Sequence, residues 1–384
     1  MRYLFCAVAL LAAPAARAAD DGFVTIFDGK TLEGWDGDPR HWSVVDGVIR
    51  GDSSKNRARG NTFVIWRGGT LKDFELKLEY KLHGGNNSGV QYRSKEISKW
   101  VMNGYQAEVQ NLLGKTGFLY HERGRGWLVD VGDFMEISRE GAKVVVGEVA
   151  RLDAVKRAPY HKDKDWNAYH FIVRGNHVIH YLGGYQTIEL IDYHVDRKNP
   201  LRARCESGLL ALQIHAGSPM TVDFRNIKIK HLREGYGEAR RLFNGKDLTG
   251  WKTYDRAAWT VKPLEGARTN PRGGTTLDIG GVLTCTGRGR NYLSPDKPLG
   301  RTYLVRYQIR APGDTATGGA TPFKKVKGWS TCEVAVDGRN VTYTLDGVKR
   351  NSRYAPVVRG TFALPSRMRA EYRNIVVIPV GVTR

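Results

Sequence analysis

Three short stretches of this chain concentrate side chains able to bind a polyol and move its protons. Asn87-Ser88-Gly89-Val90-Gln91-Tyr92-Arg93 sets Asn87, Gln91 and Arg93 at alternate positions. Tyr105-Gln106-Ala107-Glu108-Val109-Gln110 does the same for Gln106, Glu108 and Gln110. Leu210-Ala211-Leu212-Gln213-Ile214-His215 interleaves apolar Leu210, Leu212 and Ile214 with Gln213 and His215. Successive side chains of a strand point to opposite faces, so each stretch reads as a strand with an apolar inner face and a polar outer one. Amide and guanidinium groups match vicinal hydroxyls, and a carboxylate or an imidazole exchanges protons near neutral pH. His215 and Glu108 are therefore candidate bases, and Arg93 is a candidate for stabilising negative charge. Asn87, Gln91, Gln110 and Gln213 are candidate substrate-binding residues. Tyr120, His121 and Glu122, which follow the Thr116-Gly117 turn, are candidates to line the same groove, Tyr120 as a substrate contact.

Each of these residues also has a plain reading. An outward Gln on a strand is usually solvated, and an exposed Glu–Arg pair contributes less than about 1 kcal/mol. His215 and Glu108 stand as two metal ligands on separate strands, which leaves a divalent metal as an open alternative. No H-E-x-x-H, G-x-S-x-G or P-loop pattern occurs, nor a C-x-x-C pair for a thiolate zinc site.

The elements that must carry these side chains are short strands separated by glycine turns. Phe74-Glu75-Leu76-Lys77-Leu78-Glu79-Tyr80 alternates apolar and charged residues, and Val178-Ile179-His180-Tyr181-Leu182 runs into Gly183-Gly184. Such strands at this spacing predict antiparallel β-sandwiches. The segment from Arg139 to Ala158 is the one place where a helix is expected, against the β-branched run Val144-Val145-Val146.

The 384 residues suit two cores better than one, and the chain repeats itself. Ile26-Phe27-Asp28-Gly29-Lys30-Thr31-Leu32-Glu33-Gly34-Trp35 recurs as Leu242-Phe243-Asn244-Gly245-Lys246-Asp247-Leu248-Thr249-Gly250-Trp251. Asp223-Phe224-Arg225-Asn226-Ile227 recurs as Glu371-Tyr372-Arg373-Asn374-Ile375. The second copy keeps this packing signature and drops the polar set, with Leu364-Pro365-Ser366-Arg367 standing where the first has Leu212-Gln213-Ile214-His215. That contrast is what lifts the polar residues above their plain readings. The expected layout is a first sandwich over 19–234 and a smaller, degenerate one over 238–384.

Residues 1–18 read as a signal peptide. Arg2 is followed by an apolar stretch from Tyr3 to Ala13 and by the cleavage pattern Ala16-Arg17-Ala18. The mature chain is expected to begin near Ala19, exported and periplasmic. Cys6 lies at the start of the apolar stretch, which speaks against a lipoprotein anchor. Cys285 and Cys332 are a candidate disulfide pair in the second region, leaving Cys205 alone. No apolar run reaches the roughly 20 residues of a bilayer span. The formal net charge of +21 favours anionic partners, yet the basic residues are dispersed and no recognition helix is visible, so a nucleic-acid partner is not expected.

In their order these motifs resemble the 3-keto-disaccharide (3-keto-glycoside) hydrolase domain family. The matching residues are Phe27-Asp28-Gly29-Lys30 with Gly34-Trp35, Asp73-Phe74-Glu75, Asn87-Ser88-Gly89 with Arg93, and Glu108-Val109-Gln110. They continue with Thr116-Gly117 and Tyr120, Trp166-Asn167, Leu212-Gln213-Ile214-His215 and Phe224-Arg225-Asn226-Ile227. Together they cover residues 22 to 232. Gly183-Gly184 stands where the family commonly has Asn-Gly, a departure that alters a turn and not the chemistry.

The resemblance implies a concanavalin-like jelly roll with a concave sugar-binding face, so the fold class is all-β, two tandem antiparallel jelly-roll sandwiches. It implies a hydrolase acting on glycosides already oxidised at C3. The ketone acidifies the C2 hydrogen, a base removes it, the C1 substituent is eliminated, and water then adds. Either His215 or Glu108 supplies the base, and either Arg93 or a bound metal supports the oxyanion. The oxidation would fall to a separate sugar 3-dehydrogenase. An ordinary glycosidase would need two flanking carboxylates, of which only Glu108 is well placed. The rival class is a non-catalytic carbohydrate-binding or envelope-adhesion protein.

Overall fold

The computed structural model describes residues 22–381, except 113, 151–159, 233–234, 264–266, 270–274, 278–279, 288–291, 311–327, 353–354, 359–360 and 366–368. The signal-peptide reading, and Ser366 and Arg367 of the repeat comparison, lie outside the described residues.

The chain folds as all-β. Its first part runs β1 (Val24–Thr25), β2 (Trp35–Asp36), β3 (Trp42–Val45), β4 (Val48–Asp52), β5 (Thr62–Leu71), β6 (Phe74–Leu82), β7 (Ser88–Ser98), β8 (Val101–Val109) and β9 (Leu119–Glu122). It continues with β10 (Gly126–Val129), β11 (Asp133–Ile137), β12 (Lys143–Glu148), β13 (Asn167–Arg174), β14 (His177–Leu182), β15 (Tyr185–Asp192), β16 (Gly208–Ile214) and β17 (Thr221–His231).

Two sheets face each other across one core. The ten-stranded sheet has the order β12-β11-β15-β14-β13-β6-β17-β4-β3, with β1 on β17, and the seven-stranded sheet the order β10-β9-β8-β7-β16-β5-β2. The predicted alternation is clearest on β6, where Phe74, Leu76, Leu78, Tyr80 and Leu82 are buried and the charged residues between them are half-buried on the other face. Apolar side chains of both sheets, among them Val90, Leu212, Tyr105 and Phe171, fill the space between. Burial of such side chains contributes about 1.5–3 kcal/mol each.

Over residues 139–150, the described part of the segment expected to hold a helix, no helix forms. Lys143–Glu148 is a strand of the larger sheet, as three consecutive β-branched valines favour. The departure at Gly183-Gly184 also has a physical cause. Both residues turn the β14–β15 hairpin at positive φ, +58° and +82°, as a two-residue hairpin turn requires. Asparagine tolerates that backbone, but a Cβ at 183 would lie 2.3 Å from the carbonyl oxygen of Tyr160.

The second part is a smaller sandwich. An eight-stranded sheet centres on Arg369–Pro379 and Thr302–Arg310, and a three-stranded sheet pairs Tyr292–Pro295 with Trp251–Lys252 and Leu364–Pro365. Its local geometry matches the first part. Trp35 Nε1 donates to the Ile26 carbonyl at 2.9 Å, and Trp251 Nε1 donates to the Leu242 carbonyl at 3.0 Å. Asn226 and Asn374 share a φ of +53°. Cys285 and Cys332 are both buried thiols outside any disulfide, so the expected pairing does not occur. Cys332 instead packs its Sγ 3.7 Å from the Tyr343 hydroxyl.

A buried polar contact joins the two parts. Arg306, 3% exposed, reaches Glu333 in its own sheet at 3.0 Å and, across the contact, Gln186 Oε1 at 2.9 Å, the Tyr181 hydroxyl at 3.0 Å and Glu189 at 3.4 Å. Asn374 donates to the Glu148 carbonyl at 2.7 Å.

Candidate active site

The outer face of the seven-stranded sheet gathers most of the expected polar residues. Directly opposed residues of antiparallel strands share a face. Gln91 on β7 opposes Gln106 on β8, Gln106 opposes Tyr120 on β9, and Gly89 opposes Glu108. Gln213 comes alongside from β16, the strand next to β7.

Glu108 is the centre of this set. Its Oε1 accepts from Asn87 Nδ2 at 2.7 Å and from Gln110 Nε2 at 2.8 Å, and its Oε2 accepts from Gln106 Nε2 at 3.1 Å. Only 3% of the residue is exposed. Burial pushes its pKa up to about 7; the three amide bonds pull the other way, and the Glu122 carboxylate adds a smaller upward push. Asn87 Oδ1 is buried beside it without a hydrogen-bond partner.

Gln91 and Gln213 each donate to Gln106 Oε1, at 3.0 and 2.9 Å, and both are fully buried. Expected as substrate contacts, they instead form a layer beneath the surface that fixes Gln106, which in turn fixes Glu108. Gly89 makes room for this layer, because a Cβ there would lie 2.4 Å from Gln106 Cδ.

His215 follows β16 and is half-buried. Its Nδ1 is 2.7 Å from the Ala216 carbonyl oxygen. A carbonyl only accepts, so Nδ1 carries the hydrogen and Nε2 is the basic nitrogen of the neutral ring. His215 does not hydrogen-bond Glu108. Its charged neighbour is Glu122, whose pKa is raised by burial and drawn back by a hydrogen bond from Asn61 and by the charges of Arg123 and His215. Asn61 Nδ2 donates to Glu122 Oε1 at 3.2 Å, and Asn61 Oδ1 accepts from Ala216 N at 3.0 Å. Asn61 thus ties Glu122 to the backbone beside His215.

Arg93 is not part of this face. The β7–β8 register shifts between Tyr92 and Lys95, and Arg93 adopts φ +47°. That bulge breaks the alternation and turns the side chain away. Its guanidinium donates to the carbonyl oxygens of Lys72, Gly175 and Cys205 and to Asp73 Oδ1. Those bonds use its full donor capacity.

Asn61 was not among the expected site residues, and Glu122 was expected only to line the groove with Tyr120 and His121. Nothing in the local pattern around Gly60-Asn61-Thr62 marks Asn61, whose role comes from the pairing of β5 with β16. Glu122 was detectable as the second polar residue beyond Tyr120 on the same strand. Among the described residues, no group of three or more His, Cys, Asp or Glu is arranged to hold a metal ion. The donors around Glu108 are amide N–H groups, which do not ligate a cation.

The site therefore offers two carboxyls whose pKa values are raised by burial and one imidazole on one sheet face, with amide donors and the Tyr120 ring around them. Residues 22–230 match the model of the 3-keto-alpha-glucoside-1,2-lyase-like domain. A 3-keto-disaccharide hydrolase of Bacteroides thetaiotaomicron is 36% identical over 20% of this chain, and the match spans 29% of that protein's length. A proposed glycosyl hydrolase from Parabacteroides distasonis shares 21% identity at a TM-score of 0.36, covering 55% of this chain and 99% of its own. The carbohydrate-binding module CBM66 from Bacillus subtilis shares 17% identity at a TM-score of 0.33, covering 51% of this chain and 95% of its own.

Proposed function

Because this chain belongs to the 3-keto-alpha-glucoside-1,2-lyase-like domain family, we propose that it cleaves 3-keto-glycosides, with His215 as base and Glu108 as acid. The observation that carries this reading is the buried Glu108 carboxyl, poised at a pKa of about 7 within a shell of amide donors. A group half-protonated at neutral pH suits proton transfer in both directions.

The ketone at C3 acidifies the hydrogen on C2. His215 Nε2 removes that proton, and the electron pair forms the C2–C3 enolate. Glu122 lies beside the ring, tied there by Asn61. Tyr120, across from Gln106 in the strand pairing, supplies a hydroxyl toward the enolate oxygen on C3. Collapse of the enolate breaks the bond from C1 to the glycosidic oxygen, and Glu108 protonates the departing alcohol. In the second half Glu108 takes a proton from water, whose oxygen adds to C1, and the imidazolium returns its proton to C2. The sum is one water consumed and one glycosidic bond exchanged for two hydroxyls. Asn87 and Gln110, which flank the carboxyl, bind sugar hydroxyls in this scheme. No step runs through Arg93.

His215 and Glu108 carry both proton transfers, one taken from and returned to C2, the other replaced from water. The ketone is made elsewhere, by a sugar 3-dehydrogenase. Incubation with a 3-keto-disaccharide and with its unoxidised parent tests the reading. Release of a free sugar from the first alone supports it. Cleavage of neither, or equal cleavage of both, overturns it. The second outcome would favour Glu108 and Glu122 acting as an ordinary carboxyl pair. Exchange of the C2 hydrogen in deuterated water, lost in His215→Ala and kept in Glu108→Gln, tests the division of roles.

A further inference from the structure

The β9–β10 hairpin adds an aromatic wall to the Glu108 face. Phe118 stands directly across from Glu108: Glu108 N donates to the Phe118 carbonyl at 3.1 Å, and Gly117 N donates to the Glu108 carbonyl at 3.1 Å. Gly117, at φ +95°, is the extra residue of a bulge that leaves Phe118 facing the carboxyl. Tyr120, two residues on, opposes Gln106, and Trp127 of β10 opposes Tyr120. Directly opposed residues share a face, so Phe118, Tyr120 and Trp127 rise from the face that carries Glu108. Their neighbours Leu119 and Leu128 point the other way, into the core.

These rings are layered. Phe118 and Trp127 stack with their centroids 3.4 Å apart and their planes at 23°. Phe118 is buried, and the half-buried Trp127 indole lies against it. Neither packs into the apolar core of the sandwich, so core packing does not account for them. The Tyr120 ring reaches over Gly126, where a Cβ would lie 3.8 Å from Tyr120 Cε2, and this brings it beside Trp127. Lys143 Nζ donates to the Trp127 carbonyl and fixes β10 from behind. A stacked indole on an otherwise polar site face suits a ligand with a broad apolar side. A pyranose presents a face of C–H bonds and an aryl group a flat π-face, and both cover an indole where a methyl group does not.

We infer that Trp127, backed by Phe118, forms the leaving-group subsite and selects glycosides whose C1 substituent is itself a ring, a second sugar or an aryl group. The placement rests on the acid role proposed for Glu108. An acid that protonates the departing oxygen must touch it, and Phe118 is the residue directly across from that carboxyl. In the strand order β10-β9-β8-β7-β16, Glu108 stands between the aromatic wall and His215, which follows β16. The leaving group therefore extends toward β10 and the C2 hydrogen toward β16. Tyr120 stands one step along the strands, level with Gln106, which leaves its hydroxyl for the keto ring.

Calorimetry on the full chain with two unoxidised ligands, phenyl glucoside and methyl glucoside, tests the stacking without turnover. The phenyl ligand should bind wild type about tenfold more tightly. Trp127→Leu, which keeps an apolar cover over Phe118, should erase that gap, and Trp127→Phe, which keeps a flat ring, should retain most of it. With the two matching 3-keto-glycosides, Trp127→Leu should lower kcat/KM about tenfold for the phenyl substrate and leave the methyl substrate within about twofold of wild type. No preference of the wild type for the phenyl ligand overturns the inference. So does a gap that survives Trp127→Leu, or an equal loss of kcat/KM on both substrates. If Trp127 controls binding while neither keto-glycoside is cleaved, the cleavage reading falls and the ring-binding site stands.

Discussion

Asn87 holds Glu108 by one end of its amide only: Nδ2 donates to Oε1 at 2.7 Å, while Oδ1 is buried and unpartnered. The donor stabilises the charged carboxylate, and the unpaired acceptor beside it is closed off from solvent.

If Glu108 is the acid, activity needs its proton, and kcat/KM should fall as pH rises through about 7. Glu108→Gln should lower kcat/KM by roughly 10²- to 10⁴-fold. Asn87→Ala removes a bond that favours the carboxylate, so its descending limb should move to higher pH. A limb unmoved in that variant would assign the ionisation to another group.

The same carboxyl has a consequence for stability. Its folded pKa lies above the unfolded one, so its contribution is fully present below about pH 4.5 and is lost as pH rises through about 7. Relative to Glu108→Gln, the wild-type protein should lose on the order of 3 kcal/mol between pH 4 and pH 9. Urea titrations of both proteins across that range give the difference directly.

Arg93→Met should behave as a scaffold variant. Removing the guanidinium strands three carbonyls and a buried carboxylate, at a cost of about 3 kcal/mol or more. In the molecules that remain folded, kcat/KM should stay within a few-fold of wild type. A large fall in kcat with unaltered stability would return Arg93 to the chemistry.

Gly183→Asn should destabilise this protein by about 1–3 kcal/mol, because the added Cβ meets the Tyr160 carbonyl. Thermal unfolding measures the loss, and turnover should be unchanged.

Arg306→Ala takes the shared cation from buried Glu189 and half-buried Glu333, which keep His177 and Arg174 as neighbours, at a cost of about 1–3 kcal/mol. Calorimetry should show the single transition split into two as the parts uncouple. A single transition at the wild-type temperature would mean the contact contributes nothing.

The fold was legible wherever side chains alternate cleanly, as on β6, because one face meets the core and the other does not. The Glu108–Gln106–Gln213 layer was legible for the same reason. Arg93 was not, since a bulge of one residue reverses every assignment beyond it and leaves no mark in composition. Burial of Gln91 and Gln213 was equally hidden, because whether an outward side chain meets solvent depends on neighbouring strands. Asn61 became visible only through a partner strand some 150 residues away. The thiols of Cys285 and Cys332 show that sharing a region is not sharing a contact.

The pairing of β6 with β17, Phe74 against His231 at one end and Leu82 against Val222 at the other, sets the order in which the molecule can be assembled. A ribosome delivers β6 long before its neighbour exists. The larger sheet therefore cannot close until almost the whole first sandwich has been synthesised. Until then β6 presents one unsatisfied edge, a template for wrong partners as much as for the right one. A nascent chain with this topology has to be kept from premature pairing, and truncation a few residues short of His231 should yield an aggregating product, not a smaller folded one.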